Sequence, residues 1–134
     1  MNAGVARTLA TLSGGAAGLA AALTGLVVLK EAGRIDVRLV GVLGWAIGPY
    51  AFFVLLAWAA RRSAAAEGVI LAGVLASAGF GAWAIHDAFF KPPRDALAGL
   101  VFLVVPIYQG AALLASALVA GAILWASCRR RRPA

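Results

Sequence analysis

The sequence holds one cysteine, one histidine and one asparagine in 134 residues. A single thiol, Cys128, closes no internal disulfide and completes no cysteine-based metal cluster. The lone imidazole of His86 leaves none of the ligand spacings that zinc sites use, so no metal and no cofactor is expected. Charge is also scarce: 13% of residues are Asp, Glu, Lys or Arg, against about a quarter in an ordinary soluble domain. Acids are the rarer sign, five against twelve bases, for a net charge of +7. That excess does not point to nucleic acid, because the bases sit in short islands flanking apolar runs, the pattern of a membrane protein.

What the chain has in abundance is apolar surface, 63% hydrophobic residues and a mean hydropathy of +0.95. Four apolar runs cover residues 9–29, 39–60, 69–90 and 96–128, separated by KEAGRIDVR, RRSAAAEG and KPPRD. The first three have the length that crosses a hydrocarbon core of about 30 Å. None alternates as a strand would, so all read as helices. The expected fold is an all-α integral membrane protein, with four transmembrane helices in a small antiparallel bundle. It forms one domain over residues 1–134, ending in a short basic tail at 129–134.

The last run is longer than one crossing. A straight helix over residues 96–128 would measure about 50 Å, whereas residues 107–127 match the core by the same arithmetic. The favoured layout kinks the chain near Pro106. Residues 96–105 then form a short outer apolar segment and residues 107–127 the span. In the alternative, a single tilted helix carries Gln109 deep into the membrane, where it needs a partner on another helix.

Basic residues set the expected direction. With the N-terminus in the cytoplasm, Arg7, Arg61, Arg62 and the arginines at 129–132 lie inside, and Lys30, Arg34, Arg38, Lys91 and Arg94 lie outside. Glu67 is then the one acid on the inside, in the second island. Both termini are expected in the cytoplasm. The arginine, alanine and glycine bias suggests a bacterial inner membrane. The first run follows only Arg7 and exceeds a signal-peptide core, so it is read as retained.

Small residues recur four apart: Gly14 and Gly18, Gly44 and Gly48, then Gly73, Ser77 and Gly81, and Ala117 with Gly121. Such faces let helix backbones approach closely in lipid. They are read as helix-packing positions, within the bundle or against another membrane protein. Trp58, Trp83 and Trp125 lie near run ends, where indoles favour the headgroup level.

Polar groups inside the runs are few. Thr11, Ser13, Thr24 and Tyr50 can be held by their own or nearby backbone. His86 and Asp87, near the outer end of the third run, are adjacent and project about 100° apart on a helix. Tyr108 and Gln109 fall at a similar depth. These four are the candidate ligand or partner residues, and no catalytic residue is identified. In the outer turn KPPRD, Asp95 is suited to cap the fourth helix.

No family resemblance emerges. Dual-topology multidrug exporters carry an acid in the first span, fluoride channels an asparagine and an arginine in the membrane, and thiol-redox membrane enzymes paired cysteines. The chain has none of these. Three functions remain. The leading one is a small interaction or accessory subunit, partnered by the bilayer and by another membrane protein or a second copy, and not an enzyme. The others are a small oligomeric transporter or channel, and an outer-side ligand-binding or enzymatic site around His86 and Gln109.

Overall fold

A computed structural model describes residues 3–32, 37–90 and 100–130. Among these, four helices account for nearly everything: α1 Ala3–Ala32, α2 Val37–Ala60, α3 Ala64–Phe90 and α4 Val101–Arg130. Each is long and apolar enough to cross a membrane. They pack as an all-helical antiparallel bundle. The turn KPPRD, the cap expected of Asp95 and the arginines at 131 and 132 lie outside the described residues.

The four helices form a skewed square. α1 packs on α2 and α3, and α4 packs on α3 and α2. α2 and α3 meet more lightly across the short diagonal, while α1 and α4 face each other across the long one. Chain neighbours therefore make two hairpins, α1–α2 and α3–α4, laid side by side.

Three of the differences from the hydropathy reading exceed four residues. α1 begins at Ala3, well before residue 9, because a helix does not stop where its apolar character does. α3 begins at Ala64, five residues before the expected residue 69, because Ser63 caps it. The Ser63 amide donates to the Ala60 carbonyl at 2.8 Å and closes the turn; the Ser63 carbonyl accepts the first helical bond from Glu67 at 2.9 Å. The Ser63 hydroxyl oxygen accepts the Ala66 amide at 3.3 Å. That is an N-cap, followed by three alanines with the highest helix propensity. Glu67 is thereby moved from the connecting island into the first turns of α3.

The third difference concerns Pro106. α4 begins at Val101, six residues before the expected span, and stays helical through Pro106. Residues 101–105, expected as the outer segment, are helical and continuous with the span; residues 96–99 lie outside the described residues. A proline in a helix removes one amide donor and crowds the carbonyls a turn earlier. Here the Trp45 indole of α2 donates to the Leu103 carbonyl at 3.3 Å, just before the proline. α2 has its own internal proline, Pro49. Both prolines line a groove of about 530 Å³ on the α2–α4 face, with Gly44, Gly48, Phe52 and Gly110.

The expected packing glycines divide by environment. At Gly73 a Cβ would collide with the Ser116 hydroxyl and fall 3.2 Å from Phe53, so α3 and α4 close over that position only because it is glycine. Gly81 is equally confined, and Ser77 is buried. Gly14, Gly18, Gly44, Gly48 and Gly121 have no atom within 4 Å of where a Cβ would stand. A side chain at any of these five would meet no neighbouring helix, although Gly14 and Gly48 are half-buried.

Gly73→Ala is expected to destabilise the protein by about 1–3 kcal/mol through overpacking. Gly68→Ala, where a Cβ meets nothing, is expected to be neutral or to stabilise by up to about 1 kcal/mol through helix propensity. Reversible unfolding of both variants in mixed micelles measures the difference. Equal effects would mean that the α3–α4 approach at Gly73 is looser than described.

Candidate functional site

Gln109 is the chain's single glutamine and is 2% exposed. In an apolar interior an unbonded amide costs several kcal/mol relative to water, on the order of the full desolvation penalty. Its partners come from other helices. Nε2 donates to the Tyr50 hydroxyl oxygen at 2.7 Å and to the Ser77 backbone carbonyl at 3.3 Å. A carbonyl only accepts, so the nitrogen of the amide must face Ser77, which fixes the side chain's orientation. The Tyr50 oxygen accepts from Gln109, and its hydroxyl is also hydrogen-bonded with the Thr24 side chain. Thr24 is on α1, Tyr50 on α2, Ser77 on α3 and Gln109 on α4. One polar junction therefore touches all four helices.

Gly81 makes the room for it. A Cβ at that position would stand 2.8 Å from Gln109 Nε2 and 3.4 Å from the Tyr50 hydroxyl. Gln109 Oε1 and Ser77 Oγ make no hydrogen bond within the protein. The cavity beside the amide, lined by Thr24, Ala46, Gly81, Val105, Pro106 and Gln109 among others, holds about 10 Å³. That is about the space of one water molecule, too little for an organic substrate.

The second interior polar contact lies towards the other end of the bundle. Glu67 on α3 has no exposed surface. Ser13 on α1 shares its hydroxyl proton between the Leu9 carbonyl at 2.9 Å and Glu67 Oε2 at 3.5 Å, while Glu67 Oε1 has no partner. Between Glu67 and Tyr50 lies a dry layer: Phe53, Ile70 and Val74 are all 0% exposed. No polar atom of those side chains connects the two sites.

The four residues expected to cluster separate. Gln109 turns into the core. Tyr108, its neighbour, turns outward, 59% exposed, with its ring 5.5 Å from that of Phe80; adjacent helical residues point about 100° apart. His86 is exposed and Asp87 half-buried. His86 instead borders a groove of about 600 Å³ between α1 and α3, shared with Leu19, Leu23, Thr24, Tyr50 and Ala78. No group of three or more metal-ligating side chains occurs among the described residues.

Sequence reasoning missed Tyr50 as the receiver of Gln109, Glu67 as an interior group, and Pro49. The signals were present. A tyrosine following a proline in mid-span and a glutamine in another span are each costly alone and complementary together. Glu67 carried a weaker sign, a serine four residues before it that starts the helix.

The Tyr50–Gln109 bond is expected to show in a double-mutant cycle. Tyr50→Phe and Gln109→Leu should each destabilise by about 1–2 kcal/mol, with a coupling of about 0.5–1.5 kcal/mol. Additivity within about 0.3 kcal/mol would remove this bond from the forces that hold the bundle. Comparison of the chain with protein-family models, with curated proteins and with solved structures finds no match.

Proposed function

We propose that the protein is a small membrane interaction subunit, which packs against the transmembrane helices of a larger complex through the α2–α4 face. One observation carries the reading. Gly44 and Gly48 meet nothing inside the bundle, yet with Gly110 and the two prolines they floor a groove of about 530 Å³ edged by Phe52, Ile107 and Leu113. Helices associate in lipid by close backbone approach, which a glycine floor permits and a rim of large side chains guides. A partner helix with a large apolar residue fits that relief. Phe52 and Ile107, 61% and 59% exposed, are the flanking contacts.

The interior weighs against conduction. A transporter site is expected to have interior polar groups that a substrate or ion can reach. Here the polar contacts fall into two groups, Gln109 with Tyr50 and Glu67 with Ser13, and the fully buried Phe53, Ile70 and Val74 stand between them rather than a continuous polar path. The outer-side site is also disfavoured, since Gln109 commits both amide hydrogens to the bundle.

Photo-crosslinking in native membranes tests the proposal. A photoreactive residue at position 52 or 107 should yield an adduct of defined mass. One at position 19, on the opposite α1–α3 groove, should not. Gly48→Leu should abolish the adduct while leaving the unfolding midpoint within a few degrees. An adduct of two copies would identify the partner as the chain itself. No adduct from positions 52 and 107, with a lone chain recovered in mild detergent, would overturn the reading.

A further inference from the structure

The end of the bundle that carries the α1 N-terminus, the α2–α3 turn and the α4 C-terminus also carries Arg7, Arg61, Arg62 and Arg129. Arg7 comes from α1, and Arg61 and Arg62 from the turn after α2. With Ala10 and Thr11 these three line a cleft of about 610 Å³. We propose that this cleft is a binding site for a phosphate-bearing anion, presented as the headgroup of an anionic phospholipid in the adjoining leaflet.

Three observations converge on it. The first is charge without a counter-charge. Among the described residues, the one acid at this end is Glu67, and its carboxyl is buried against Ser13 rather than paired with a guanidinium. Guanidinium groups gathered around a concave space leave their donors for an incoming anion, and their fork geometry matches phosphate oxygens. The second is height. The Arg61 guanidinium lies over the Trp58 ring, 4.7 Å from its centroid. Trp58 is 64% exposed, as befits an indole at the headgroup level. Arg61 is thus held where lipid phosphates are, with part of its conformational freedom already removed. The third is shape. Thr11 donates its hydroxyl proton to the Arg7 carbonyl at 3.0 Å, which leaves its oxygen to accept from a glycerol hydroxyl. A cleft of this size takes a phosphate with its glycerol, and three cations suit a headgroup with more than one phosphate. The site is independent of the proposed α2–α4 docking face.

The test compares binding to purified protein in neutral detergent, read by thermal shift and by native mass spectrometry. The probes are diphosphatidylglycerol, phosphatidylcholine and inorganic diphosphate. Diphosphatidylglycerol is expected to bind and raise the unfolding temperature, and phosphatidylcholine is not. Arg7→Gln and Arg62→Gln should each weaken diphosphatidylglycerol binding about fivefold, near 1 kcal/mol per surface cation. Arg129→Gln removes the same charge outside the cleft, where Arg129 stacks on Trp125 at 3.8 Å, and should leave binding within about twofold. Equal losses at Arg129 and Arg7 would overturn the site in favour of diffuse attraction. Diphosphate binding as tightly as the lipid, and sensitive to the same two arginines, would keep the phosphate site but overturn the lipid as its source. No binding by either phosphate probe would overturn the proposal entirely.

Discussion

An amide inside an apolar bundle has no water to fall back on, and the arrangement of this protein answers that constraint at Gln109. The donor hydrogens of one side chain end on a tyrosine oxygen of α2 and a backbone carbonyl of α3. The tyrosine hydroxyl is also hydrogen-bonded with Thr24 of α1. Each bond is worth little net, about 0.5–1.5 kcal/mol, yet leaving the amide unpaired costs more. The asymmetry gives the junction its authority over packing. Gly81 has no side chain because the junction occupies the space, and the small size of that residue lets α3 and α4 approach at the right height.

The same logic orders the interior from end to end. Below the junction, Phe53, Ile70 and Val74 are fully buried, and the hydroxyl beside them, that of Ser116, returns to its own helix. Below those residues stands Glu67 with Ser13. The arginines are outside, on the rim. Hydroxyls elsewhere return to their own helix: Thr8, Thr11, Ser116 and Ser127 each donate to the carbonyl four residues back. Those residues are locally satisfied and place no demand on their neighbours. The few that reach across helices therefore specify the bundle.

The four helices were legible because a membrane translates thickness into run length, and runs of twenty apolar residues have few other meanings. What the runs could not convey was where helices begin. Hydropathy began the third run at residue 69, but Ser63 and three alanines start the helix earlier, and that brings Glu67 into the core. The glycine spacings were visible, yet spacing says nothing about direction: Gly73 and Gly81 face neighbours, while Gly44 and Gly48 face out. Gln109 was legible as a cost. Its partners were not, because they lie 59 and 32 residues away and only the tertiary arrangement brings them near. The proline at 106 suggested a break, and the indole of Trp45 against the Leu103 carbonyl is part of how a continuous helix accommodates it.

The Ser63 turn has a further consequence for how the chain's contacts are divided. It joins α2 to α3 through three residues, yet those two helices meet only lightly across the diagonal. The shortest connection in the described chain thus links a pair of helices that meet only lightly. Contacts close in sequence form first, and here they belong to α1 with α2 and to α3 with α4. The Tyr50–Gln109, Ser13–Glu67 and Trp45–Leu103 bonds all run between these two halves. The fold therefore divides into two hairpins on either side of a short tether, with a handful of polar side chains joining them in register.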